Sequence, residues 1–371
     1  MIGLILTSLA LWFAILLLPW QPWRVRESLD VEDVAIKRQT QPLDLTVIIP
    51  ARNEADIIQE TLNSIAHQAP GLRIILVDDE SSDQTIAKAE SLSFSNLRII
   101  HGEALPEGWS GKLWALEQGF RYADTELILL LDADILLKPG LIPTLVNKLE
   151  REKKDFISLM AQLRMETAIE KLLMPAFIYF FKLLYPFKLS NQGHPWVAAA
   201  AGGCILMKSN VLKTIGGFES LRSALIDDCT LAAKFRELGK STWIGLTHSA
   251  ISLRRYDRLD EIWNMIARTA YTQLRYSPLL LLLCTLLMLL AYCVPLVGLF
   301  YAPFLALVTL TIMTATYLPI IWYYRLHPIW ALGLPCAGFL FLMMTWSSAL
   351  RYYRGERSRW KGRTYTQQTS D

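Results

Sequence analysis

The stretch "LILLLDADILLKPG", residues 127–140, runs five apolar residues directly into two aspartates set one residue apart. A short continuous apolar run that ends in polar residues reads as a strand buried on both faces. Asp132 and Asp134 stand at its carboxyl end, where two like charges repel unless something positive lies between them. In an extended backbone, residues two apart project to the same side. The pair therefore reads as a seat for a cation.

The surrounding sequence alternates in the same way. "LDLTVIIPA" is a β-branched run, and in the "RNEADIIQETLNSIAHQ" that follows it Ile57, Ile58, Leu62 and Ile65 recur at helical spacing. "LRIILVDD", the polar turn "ESSDQT", a helix from about Ile86 and strands near "NLRII" and "ELILLLD" continue the pattern. Strands alternating with helices predict an α/β domain with a mainly parallel sheet, whose ligands gather beyond the carboxyl ends of the strands. At those ends lie Arg52, Asn53 and Glu54, then Asp78 and Asp79, then Asp132 and Asp134. A single strand-end carboxylate reads as a helix cap; three polar clusters on one sheet edge read as a site.

Neither GxGxxG nor GxxxxGK[ST] occurs, which argues against a dinucleotide or P-loop fold. Phosphate then needs a divalent ion, and hard carboxylate oxygens suit Mg²⁺ or Mn²⁺, with phosphates and waters completing the shell.

The ends of the chain differ from its middle. Residues 1–20 carry no charge and have the length of a transmembrane anchor, with Arg24 and Arg26 directly after them. A polar linker is expected over 21–44, the α/β domain over 45–250, an amphipathic interface helix over 251–276, transmembrane segments over 277–350 and a basic tail over 351–371. The interface helix rests on the stripe Leu259, Ile262, Trp263, Ile266, Ala270 and Leu274, which could lie in the headgroup layer or pack as core. Three crossings over 278–350 would carry the basic tail outside, whereas its arginines argue for the cytoplasm, so one apolar segment is expected to be re-entrant or interfacial. The net charge of +3 points to no nucleic-acid partner, and the five cysteines form no CxxC pair, so neither zinc nor a disulfide framework is expected.

The motifs "VIIPARNEAD", "VDDESSDQT", "GKLWALEQG", "LLLDADI", "AGGCILMK" and "IDDCTLAAKF" together resemble family 2 glycosyltransferases of the GT-A type. "ALPEGWSGKLWALEQG", "LLMPAFIYFFKLLYPF", "ALIDDCTLA" and "IARTAYTQLRYSPLLLL" further resemble the hopene-associated members found with bacterial hopanoid genes. The resemblance implies a nucleotide-sugar donor, UDP-linked, with Glu54, Asp78 and Asp79 on the nucleoside and Lys112 on the diphosphate. It implies a metal on Asp134, assisted by Asp132. Asp228 would be the base that deprotonates the acceptor, with Asp227 in reserve; a helix start also favours aspartate simply as a cap. Gly202 and Gly203, in "AAAAGGCILM", would let a bulky acceptor approach the backbone, or form a close-packed turn.

The implied acceptor is a lipid, a hopanoid first, with a carotenoid, a ceramide-like lipid or a polyprenyl phosphate as alternatives. The implied location is multi-pass in a bacterial inner membrane, with the catalytic domain in the cytoplasm. A membrane scaffold that binds nucleotide sugar without catalysis is the reading from another class. The Q/R-x-x-R-W of processive members is absent from "ARTAYTQLRY", which favours transfer of one sugar over polymer synthesis.

Overall fold

Five consecutive apolar residues make a strand only if both faces of the sheet are covered, and β4 (Leu127–Leu131) is buried along its whole length. A computed structural model describes residues 1–31, 42–66, 68–222, 224, 226–360 and 363–366, the stretch from 356 onward by its backbone alone. Residues 32–41 of the expected linker and Lys361 of the expected tail lie outside the described residues. The chain divides into two compact units, one comprising Glu27–Leu163 and Leu189–Arg254, the other Met1–Arg26, Arg164–Lys188 and Arg255–Asp371.

The first unit is built on one eight-stranded sheet. Its strands are β1 (Leu45–Ala51), β2 (Arg73–Asp78), β3 (Leu97–His101), β4, β5 (Ile135–Leu137), β6 (Phe156–Gln162), β7 (Cys204–Lys208) and β8 (Thr242–Ser252), in the order β3-β2-β1-β4-β7-β6-β8-β5. The first four pair in parallel, as expected. β7 enters antiparallel between β4 and β6, β8 returns parallel to β6, and β5 closes the edge antiparallel to β8. The sheet is therefore mixed.

The alternation of side chains sorts each strand onto two cores. Val47, Ile49, Leu129 and Leu131 join one, and Ile48, Ile128 and Leu130 join the other, beneath the Gly111–Arg121 helix. Each such side chain is worth roughly 1.5–3 kcal/mol when fully buried. This double burial holds the strand ends, and what they carry, in place.

The second unit contains three helices long and apolar enough to cross a membrane, Pro278–Gly298, Pro303–Tyr323 and Pro328–Tyr353. The N-terminal apolar stretch forms a shorter helix, Ile2–Leu17, which buries Ile5, Ser8 and Trp12. Within Pro278–Gly298 the residues Leu289–Cys293 widen into a π-turn, and Pro295 follows. Proline has no N–H to donate four residues back. The carbonyl it leaves, that of Ala291, accepts the indole N–H of Trp12 at 3.0 Å.

Two expectations change here. "LLMPAFIYFFKLLYPF" belongs with this second unit rather than with the α/β domain. The amphipathic segment is two short helices, Leu259–Ala267 and Ala270–Gln273, and of its stripe Ile262 and Ile266 are buried within the unit while Leu259 is exposed. Asn264 takes the Arg351 guanidinium at 2.6 Å, and Ser348 Oγ accepts the Tyr271 N–H at 3.0 Å, which seats the segment on the last apolar helix.

Candidate active site

β4 ends at Leu131, and the next three residues turn: Asp132 N–H donates to the Gly203 carbonyl at 3.1 Å, and Ile135 N–H donates to the Asp132 carbonyl at 3.1 Å. The backbone at Asp132–Asp134 is thus no longer extended, and the alternation that would place both carboxylates on one side does not apply. They engage different cations. Asp132 meets Lys112 Nζ at 2.6 Å, while Asp134 Oδ2 accepts from Arg254 Nε at 3.0 Å and Ser252 Oγ at 3.3 Å.

Lys112 is the second residue of the Gly111–Arg121 helix, which Ser110 caps by accepting the Leu113 N–H at 3.3 Å. Its ammonium lies in a pocket that Asp132, Gly202, Asp227 and Asp228 also line, with Pro50, Leu131 and Ile205 among the apolar walls. A Cβ at Gly202 would stand 3.2 Å from Lys112 Nζ, close enough that the ammonium would have to shift, and 3.5 Å from Asp228 Oδ2, an ordinary contact. Gly203 meets no polar group in this way; its nearest neighbour is the side chain of Ile135.

Asp227 and Asp228 open the Asp227–Glu237 helix without capping it across a turn; Asp228 Oδ1 accepts the next N–H, that of Cys229, at 2.7 Å. The electrostatics of the cluster follow from burial and crowding. Burial, then the charge of Asp227, pushes the Asp228 pKa up to about 7, with Cys229 N–H and Lys112 opposing. Burial also raises that of Asp132, opposed by Lys112 and reinforced by Asp134. Burial works against the Lys112 ammonium, but Asp132 and Asp227 outweigh it and hold its pKa above the ordinary lysine value.

The nucleoside candidates form a separate neighbourhood. Glu54 is buried, and its carboxylate accepts from Arg254 Nη2 at 2.9 Å, so one guanidinium bridges Glu54 and Asp134. Asp78 accepts the Ser81 N–H at 3.2 Å and so caps its own turn, while Asp79 lies 3.9 Å from Arg52 Nη1. Sequence reasoning missed Arg254 and Ser252; the signal present was "SLRRYD", two arginines just past the end of β8.

Among the described residues no three His, Cys, Asp or Glu side chains converge to cage a metal. The donors at hand suit a different arrangement: oxygen-only carboxylates, with that of Asp132 one-third exposed at the pocket. Mg²⁺ or Mn²⁺ held by one or two protein carboxylates and completed by phosphates and water fits that set. Arg254 and Ser252 would orient Asp134 for it, as groups behind a metal ligand commonly do.

Residues 46–216 match the family model described as Glycosyl transferase family 2. Over that segment, a little under half of the chain, the sequence is similar to that family. The 4,4'-diaponeurosporenoate glycosyltransferase of Staphylococcus aureus is 35% identical over 105 residues, 28% of this chain and 28% of that protein. The match thus spans little more than a quarter of that relative's length. Among solved structures, a mannosyltransferase from Pyrobaculum calidifontis, in complex with GDP-Man and Mn²⁺, superposes with a TM-score of 0.55 at 18% identity, over 95% of this chain and 98% of that one. That likeness is one of fold, and the α/β unit has the GT-A architecture.

Proposed function

We propose that the protein transfers one sugar from a nucleoside diphosphate sugar to the hydroxyl of a polyprenoid-derived lipid, with inversion at the anomeric carbon. The observation that carries this reading is the Asp228 carboxylate, pushed toward pKa 7 in a pocket shared with Lys112 and Asp132. A base poised near neutrality can take a proton from an alcohol as it attacks, a contribution of about 10²–10⁴ in rate.

In this mechanism the acceptor oxygen forms its bond to the anomeric carbon while Asp228 receives the hydroxyl proton. The bond to the departing nucleoside diphosphate breaks on the far side. Lys112 compensates charge that develops on the diphosphate, and Glu54 and Asp79 bind the nucleoside. Asp132 and Asp134 would hold Mg²⁺ or Mn²⁺, which when bound supplies Lewis-acid stabilisation of the leaving phosphate charge. Gly202 keeps the space between Lys112 and Asp228 open for the reacting groups.

A hopanoid is the first acceptor, on the sequence resemblance; a carotenoid is the second, favoured by the staphylococcal relative. The experiment is Mn²⁺-dependent UDP release from UDP-glucose and UDP-N-acetylglucosamine by the full chain in lipid, with a hydroxylated hopanoid, a carotenoid acid or neither. Release stimulated by one lipid and abolished in Asp228→Asn supports the reading and selects the acceptor. Stimulated release that survives Asp228→Asn removes Asp228 as base. No release with either donor from folded protein overturns the UDP-sugar reading.

A further inference from the structure

Residues 268–276 and 348–354 meet in a hub of four tyrosines. Tyr276 stacks on Tyr352 with centroids 4.4 Å apart and planes 18° from parallel. Tyr271 is buried; its hydroxyl donates to the Tyr276 carbonyl at 2.9 Å and lies 3.0 Å from the Tyr353 hydroxyl. Thr272 Oγ1 donates to the Tyr276 hydroxyl at 3.1 Å.

These contacts hold an unusual turn. Arg275 and Tyr276 have φ of 52° and 56°, two successive side-chain-bearing residues in the left-handed region. Such conformations persist only where their surroundings enforce them. The turn folds the Tyr276 ring onto Tyr352 and leaves Arg275 exposed.

Arg268, at the end of the Leu259–Ala267 helix, and Arg354, at the end of the last apolar helix, are exposed as well. Among the described residues, none of these three guanidiniums makes an ion pair or a hydrogen bond. The acids of the segment, Asp260 and Glu261, stand in the first turn of Leu259–Ala267, remote in sequence from Arg268, and Arg258 pairs with Asp260 at 2.9 Å. Exposed apolar residues follow closely along the chain: Leu279, about one helical turn after Arg275, is 73% exposed, and Leu350, about one turn before Arg354, is 52% exposed. Three exposed guanidiniums without a partner among the described residues, near exposed leucines and the exposed Tyr353, match the polar–apolar boundary of a lipid leaflet. Guanidinium forks bind phosphate oxygens in pairs.

We propose that Arg268, Arg275 and Arg354, which flank the tyrosine hub along the chain, contact the phosphates of anionic phospholipids at this boundary. The site is independent of the sugar-transfer pocket, and its existence does not rest on the reading of that pocket.

The test is native mass spectrometry of the full chain released from mixed micelles of phosphatidylglycerol and phosphatidylcholine. The wild type is expected to retain phosphatidylglycerol preferentially. Each single Arg→Gln change should lower that preference about fivefold and the triple change about 100-fold, while Arg→Lys changes, which keep the charge and lose the paired contact, should lower it by less. Arg325→Gln removes an exposed arginine elsewhere in the unit and should leave it unchanged. Equal retention of both lipids by the wild type overturns the proposal. So does undiminished preference in single variants whose melting temperature matches the wild type, or an equal loss in Arg325→Gln. Displacement of the lipid by millimolar inorganic phosphate would show a general phosphate site and overturn it too.

Discussion

A carboxylate buried beside another carboxylate is easier to protonate, and at Asp228 this sets the proposed role as base against stability. Its pKa of about 7 in the folded state lies far above the unfolded value near 3.9. The folded chain therefore holds a proton there that the unfolded chain releases. Stability from this group is fully present below about pH 4 and is lost as pH rises through about 7. Asp228→Asn removes the titration, so it is expected to raise the melting temperature relative to wild type at pH 8, with the difference vanishing near pH 4. The same change should cut turnover by about 100-fold or more. In the wild type, kcat/KM should fall on the acid side with a midpoint at or below about 7, since a bound cation nearby lowers a carboxylate pKa. Thermal melts and a pH–rate profile check both limbs; a variant less stable than wild type at pH 8 would contradict the account. The sequence marks Asp228, Asp132 and Asp134 by position alone. Arg254 lies 200 residues from Glu54, and no local pattern pairs a guanidinium with carboxylates that distant.

The helix that carries Lys112 is set by a close approach to the sheet. A Cβ at Gly119 would lie 2.5 Å from Ile48 Cγ2 and 3.0 Å from Val77 Cγ2, so this helix packs on β1 and β2 with no room for a methyl group. Lys112 stands seven residues earlier, two turns along the same face. Gly119→Ala is expected to cost about 1–3 kcal/mol by overpacking and, by lifting the helix, to weaken nucleotide binding more than it lowers turnover. Chemical denaturation and UDP titration measure the two effects, and unchanged stability would sink the close-packing argument. At this scale β1, β2 and β4 were legible because each is an apolar run that must be covered on both faces. β7 was not: "AGGCILMK" reads as a small-residue loop running into a motif, and a strand buried on both faces carries no mark of its direction. The amphipathic stripe at 259–274 was legible as a stripe, but periodicity cannot distinguish lipid from a neighbouring helix as the partner of an apolar face. The last apolar helix packs against this segment.

In the second unit the tyrosine stack also bears on topology. Tyr276 and Tyr352 touch, so the chain enters and leaves its apolar region at one place. Between them lie three helices each long and apolar enough to cross. A chain that returns to the side it left has crossed an even number of times. One of the three is therefore expected not to cross completely, which would remove the conflict between three spans and a basic tail expected on the cytoplasmic side. Single cysteines at Ser277 and Arg354, in a chain whose five native cysteines are replaced by serine or alanine, provide the measurement. Both should react with a membrane-impermeant maleimide in inverted vesicles, and neither in intact right-side-out vesicles. Labelling of the two from opposite sides would mean three crossings, and the Tyr276–Tyr352 stack would then not exist in the bilayer.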